Sequence, residues 1–197
     1  MTRRTQAERT ASTRGRILRA AVESLAQVGY QRTTANEITR RAGVTWGAVQ
    51  HHFGDKEGIL DAVIEASFER FEARLGDFPG ADTPLEARVA HFVDRAWEHF
   101  GSAEYRSTFE ILANHARGLA DADPPPWHAH MFRSWDRVWS QFFADAALPR
   151  RRQVALQTHT IAVLTGMASL DMLGRTTDVT RAELDLLKRT LLREMQD

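Results

Sequence analysis

The sequence contains no cysteine, which excludes disulfides, thiolate metal sites and cysteine redox sensing. That agrees with a cytosolic protein, and a cytoplasmic location is the expectation. Long apolar runs are also missing. The stretch Ile161 to Leu170 comes closest, and Thr165, Gly166 and Ser169 interrupt it, well short of the ~18 uninterrupted apolar residues of a membrane span. No membrane partner is expected. Met1 to Arg19 carries arginine but no apolar run, so no secretory signal is expected. No HExxH, GxSxG, P-loop or GxGxxG motif occurs. Nor do a nucleophile, base and oxyanion donor stand at a recognisable spacing. The expectation is a protein that is not an enzyme and carries no cofactor. Net charge is zero, but residues 1–60 carry a balance of +5 and residues 61–197 a balance of −5. A basic end on a neutral chain suggests a polyanion partner there, though such ends also serve as plain solubilising tails.

What is present is helical periodicity. Ile17, Leu18, Ala21, Val22 and Leu25 recur at the spacing of one buried helix face. Gly29 follows as the expected C-terminal cap. Ile59, Leu60, Val63, Ile64, Phe68 and Phe71 form a second such face, and Gly76, Pro79, Gly80 and Pro84 then punctuate the chain. Further helices are expected from Pro84 to Phe100, with Val89, Phe92, Val93, Ala96, Trp97 and Phe100 inward, and from about Glu104 to Leu119. Pro124-Pro125-Pro126 leads into one from Trp127 to Ala146, and Pro149 opens one reaching about Leu173. Thr180 with Glu183 is read as the capping box of the last helix. Strand-like alternation is weak and no internal repeat or low-complexity tract occurs. The fold class is all-α, with a three-helix N-terminal unit over 1–56, a connecting helix over 57–76 and a helical unit over 77–197.

The informative segment runs from Thr33 to Lys56, TTANEITRRAGVTWGAVQHHFGDK. Thr34 with Glu37 is read as a capping box starting a short helix with Ile38 and Ala42 inward. Gly43 ends it where a tight turn between helices wants glycine, and Thr45 caps a second short helix through Phe53. The pair reads as a helix-turn-helix, whose second helix fits the DNA major groove only if a partner helix holds it proud. At ~100° per residue, Val49 and Phe53 share one sector and face the core, Gly47 and His51 lie opposite, and Gln50 and Ala48 flank them. An ordinary helical hairpin accounts for each position singly but not easily for the whole run.

AGV-T-x-G-A-V-x-HHF-G-D-K-E-x-I-L resembles the recognition-helix signature of the tetracycline-repressor (TetR) family. The resemblance covers roughly Gly15 to Ala66, with only length and helical character matching beyond about residue 76. It implies a homodimer that binds a palindromic operator in double-stranded DNA and releases it when a small molecule occupies the C-terminal domain. Repression is the family default. Residue by residue, it implies that Thr34, Thr45 and Lys56 meet phosphates, that Gly47 approaches backbone or bases, and that His51 meets a phosphate or base edge. Two positions depart from the pattern. Gln50 stands where the family usually has tyrosine; it either pairs with adenine N6/N7 or touches phosphate only. Trp46 stands where a polar or basic residue is common. It is a DNA contact or a core anchor, and its place ~60° from Val49 on the wheel favours the anchor.

Arg3, Arg4, Arg9 and Arg14 read either as an arm reaching DNA or as a solvated tail. Trp127, Met131, Phe132, Trp135, Trp139, Phe142 and Phe143 crowd one helix, as a core stripe or as the wall of a cavity. The pocket expected for a small hydrophobic ligand is lined by Phe109, Leu112, Trp135, Trp139, Phe142, His159 and Met167, with His159 or Asn114 as polar anchor. His159 and Asp171, three turns apart, face a pocket or interface, or His159 is a satisfied core histidine. No metal site is expected: His51 and His52 diverge on a helix, as do His128 and His130. Arg150-Arg151-Arg152 is expected to be solvated or paired with acids such as Asp121 and Asp123. Val154, Ile161, Leu164, Ala168, Leu184, Leu187 and Leu191, with Ala162 and Gly166 allowing close approach, suggest a two-fold four-helix interface through the last two helices. The other reading of these faces is that they close the chain's own core. The alternative to a ligand-responsive regulator is a DNA-binding regulator without a small-molecule sensor. The helix from Asp55 to about Leu75 is the expected lever for any ligand signal.

Overall fold

The computed structural model describes residues 6–80, 82–115, 126–174 and 177–196. Among them nine α-helices and no strand occur: α1 Gln6–Arg32, α2 Ala35–Ala42, α3 Trp46–Phe53, α4 Lys56–Arg74, α5 Leu85–Phe100, α6 Ala103–His115, α7 Pro126–Phe143, α8 Arg150–Asp171 and α9 Thr177–Gln196. A short 3₁₀ turn, Ala144–Ala146, follows α7. The all-α expectation holds. The chain divides into two compact units, one of residues 1–67 and 106–127, the other of 68–105 and 128–197.

In the first unit the periodic positions become the core. Ile17, Ala21 and Leu25 of α1 are buried with Ile38, Ala42, Val49 and the Ile59–Ile64 face of α4, while Leu18 and Val22 are half-buried. Helix geometry in α1 breaks at Gly29, where the glycine cap was expected. Fully burying one such aliphatic side chain contributes about 1.5–3 kcal/mol, so these faces hold the short α2 and α3 in place where local propensity alone would not.

The second unit is built on rings. Phe92 of α5 is fully buried, its ring 5.2–6.3 Å from those of Trp135, Trp139, Phe142 and Phe143. The crowded face of α7 is thus largely core, although Phe132 remains exposed. Helix α5 also buries Arg88 and His99, which its apolar pattern does not announce. The Arg88 guanidinium donates to both carboxylate oxygens of Asp145 at 2.6–2.7 Å and to the Phe142 carbonyl at 2.6 Å. That pairing holds the Asp145 carboxyl below its usual range.

Two expectations need correction here, and a third, that the arginine triplet is solvated or paired with acids, holds with other partners. Helix α9 begins by Thr177, so Thr180 lies inside it rather than capping it. Of the apolar faces of α8 and α9, Leu164, Ala168, Leu184, Leu187 and Leu191 are buried in the chain's own core, whereas Val154 is exposed and Ile161 half-buried. Arg150 pairs with Asp136 and Arg152 with Glu194; Asp121 and Asp123 lie outside the described residues, as do the three-proline run up to Pro125, Arg3, Arg4 and the Arg9 side chain.

Candidate nucleic-acid interface

Two caps and one glycine define the α2–α3 turn. The Thr34 hydroxyl accepts from the Glu37 N–H at 3.2 Å, and the Thr45 hydroxyl accepts from the Ala48 N–H at 3.3 Å. Half of the expected capping box forms: the Glu37 carboxylate is taken by Arg40 and Arg41, whose hydrogen bonds hold it below its usual range. Gly43 sits at φ 60°, ψ 43°, a left-handed conformation that costs other residues 1–2 kcal/mol. Arg16 of α1 then seals the turn from behind. Its guanidinium donates to the carbonyls of Ala42 and Gly43, the last at 2.7 Å. Nothing local in the sequence marks Arg16 for this, because its partners lie 26 and 27 residues away.

The second short helix presents a sorted surface. Val49 is fully buried, and Ala48, His52 and Phe53 are half-buried. Trp46, Gly47, Gln50 and His51 are exposed together. Trp46 is 38% exposed, so it does not serve as a core anchor. A Cβ built on Gly47 meets nothing nearer than the Thr45 hydroxyl at 3.9 Å; the fold itself does not demand glycine there.

Lys56 opens α4 directly after a tight corner. Gly54, at φ 79° and ψ −68°, lets the Asp55 N–H reach back to the Phe53 carbonyl at 3.0 Å, a γ-turn that only glycine adopts without strain. The Asp55 carboxylate then accepts from the Gly58 N–H at 2.9 Å and caps α4. The Lys56 ammonium stands 4.6 Å from the centre of the Tyr30 ring, and Arg14 covers Phe53 at 5.2 Å, contacts of ~0.5–1 kcal/mol each when exposed. Burial, and next the charge of Glu57, raise the Tyr30 hydroxyl pKa.

Tyr30 is itself fixed from a distant part of the chain. Its backbone N–H, just past the Gly29 break, donates to the Glu110 carboxylate at 2.6 Å. Replacing Glu110 with alanine orphans a partly buried N–H and is expected to cost about 1–2 kcal/mol in urea denaturation. Glu110→Gln, whose amide oxygen still accepts, should stay within about 0.5 kcal/mol of the original. Equal losses in both variants would show that this hydrogen bond is not what Glu110 contributes.

The residues expected around a ligand are dispersed. Phe109, Leu112 and Asn114 are half-buried on α6 in the first unit, and the Asn114 amide donates to the Glu110 carbonyl at 2.8 Å. Trp135, Trp139 and Phe142 are in the ring core of the second unit. His159 and Met167 line a different feature, a groove of about 450 Å³ between α8 and α9, with Ala162, Gly166, Leu170 and Leu186 beside them. Asp171 does not line it. Among the described residues no group of three His, Cys, Asp or Glu is placed to hold a metal ion, and no helix is long and apolar enough to cross a membrane.

Residues 17–63 match the family model of bacterial regulatory proteins of the tetR family. The chain is 37% identical over 94 residues to TtgW, an uncharacterized HTH-type transcriptional regulator of Pseudomonas putida, covering 48% of this chain and 69% of that one. It is 30% identical over 122 residues to the HTH-type transcriptional regulator CymR of Pseudomonas putida, covering 62% and 58%. The chain spans 43–60% of the length of CymR and the other curated relatives first matched. Among solved structures, LfrR of Mycobacterium smegmatis in complex with proflavine shares the fold, with a TM-score of 0.62 at 16% identity over 92% of this chain and 95% of that one.

Proposed function

We propose that this chain, which belongs to the tetR family of bacterial regulatory proteins, is a cytoplasmic, DNA-binding transcriptional regulator released from a palindromic operator by a small apolar or aromatic molecule. The observation that carries the DNA reading is the face of α3: Trp46, Gly47, Gln50 and His51 exposed together, no carboxylate on the helix, and a doubly capped turn behind it. Thr34, Thr45 and Lys56 serve as phosphate contacts, with residues 1–56 as the DNA-reading region. A second copy is proposed to pack against α8 and α9. The corrected face for it is the exposed flank of those helices, where Val154, Leu170 and Leu186 are exposed and Ala162 and Gly166 leave room for a partner helix. This assigns His159 to the subunit interface. The same fold in LfrR complexed with proflavine supports an aromatic effector. The burial of Trp135, Trp139 and Phe142 among rings favours a second reading, a regulator without a sensor.

The test is titration with a duplex enriched from a random pool by the unaltered chain. Its half-sites should lie about one helical turn apart, ~34–36 Å, as a two-fold dimer requires. Gln50→Ala and His51→Ala should each reduce discrimination between that duplex and random DNA by roughly tenfold. Lys56→Ala should weaken binding to both and lower the salt slope by about one per protomer. Unchanged affinity in all three variants would refute the assigned face.

A further inference from the structure

Trp46 is the one large apolar side chain left exposed in the first unit among the described residues; every other one belongs to the second unit. It stands at the first position of α3, directly after the Thr45 cap. N-terminal residues of such a helix are those that meet base edges when it enters the major groove. Its neighbour Gly47 has no side chain with which to cover the indole, and a Cβ built there would meet nothing nearer than the Thr45 hydroxyl at 3.9 Å. Gln50 lies one turn on, on the same exposed side of α3. Leaving an indole in water forfeits its burial energy unless a partner covers it. The thymine 5-methyl is the one alkyl group on the major-groove edge of DNA, set among hydrogen-bond donors and acceptors.

Resting on the DNA-binding reading above, we propose that Trp46 is a specificity-determining residue that packs on a thymine methyl in each operator half-site. The recognised class of sequence is therefore one with a thymine at the position facing the start of α3. The same contact accepts 5-methylcytosine and disfavours unmethylated pyrimidines by about fourfold.

The probe is the enriched duplex, with each thymine replaced in turn by deoxyuridine, which removes only the methyl group. Binding is read by fluorescence anisotropy at fixed salt. One position per half-site should lose about fourfold in affinity for the unaltered chain, the factor associated with burying one methyl group. Substituting both half-sites together should lose roughly fifteenfold. Trp46→Ala should bind the thymine duplex more weakly and be indifferent to uracil at that position, while Trp46→Phe keeps part of the preference. An unaltered chain indifferent to every thymine-to-uracil change overturns the proposal. So does a Trp46→Ala chain with undiminished preference for thymine. Either result leaves DNA binding standing, whereas failure of the unaltered chain to enrich any duplex overturns the DNA-binding reading and this inference together.

Discussion

Phe92→Ala is expected to lower the unfolding free energy by about 4 kcal/mol, the middle of the range for a phenylalanine truncated in a core. Phe92 is fully buried, and four rings surround it at 5.2–6.3 Å. Those neighbours are large and rigid, and Trp139 and Phe142 are themselves fully buried. They have little freedom to collapse into the space left behind, so the cavity persists and its cost adds to the lost transfer energy. The edge-to-face geometry, with ring planes 60–84° apart, adds a smaller loss. For a chain of this size the melting temperature should fall by about 8–16 °C. Phe132→Ala, on the same ring-rich helix but 49% exposed, should shift stability by less than about 0.5 kcal/mol. A loss under about 1 kcal/mol for Phe92→Ala would mean that the core is not packed in this way.

The second large effect is acid sensitivity through His99. Burial, and next the nearby charges of Arg74 and Arg70, push its pKa from 6.5 down to about 3. Its ring is enclosed by Phe71, Phe100 and Tyr105 at 5.3–5.5 Å. The folded chain therefore holds His99 neutral at pH values where the unfolded chain binds a proton. The unfolded state binds more protons below pH 6.5, so stability is complete above that value and declines as pH falls toward 3. The contribution at pH 5 is a loss of about 2 kcal/mol. Urea midpoints at pH 7.5 and 5.0 measure it. His99→Phe removes the titrating group while keeping a ring, and its two midpoints should lie closer together. Parallel losses in both proteins would assign the acid sensitivity to other groups.

The sequence made the periodic parts legible. Ile59 to Phe71, the α5 stripe and the two threonine caps fall where spacing and side-chain chemistry place them, because helix period and capping are local rules. For Trp46 the wheel favoured the core anchor over the DNA contact, and that preference fails for an equally local reason. A wheel angle of ~60° separates two side chains on one helix, but it carries no information about whether the body of the protein extends that far. Arg16 and Glu110 were invisible because what they hold lies 26 to 80 residues away. The apolar faces of α8 and α9 were legible as faces but not in their direction: each helix has apolar positions on both the core side and the exposed flank.

The hydrogen bond from Tyr30 to Glu110 also sets a schedule for synthesis. The first unit consists of residues 1–67 together with 106–127, so its last pieces are translated only after the intervening segment. At ~5–20 residues per second, the nascent chain spends several seconds with α1 to α4 made and their later companion absent. During that interval the Tyr30 N–H beside the Gly29 break lacks its carboxylate acceptor. A gene truncated after residue 74 would freeze the chain at this stage. Its product should be proteolysed faster than the full-length protein, although every residue assigned to DNA contact is present.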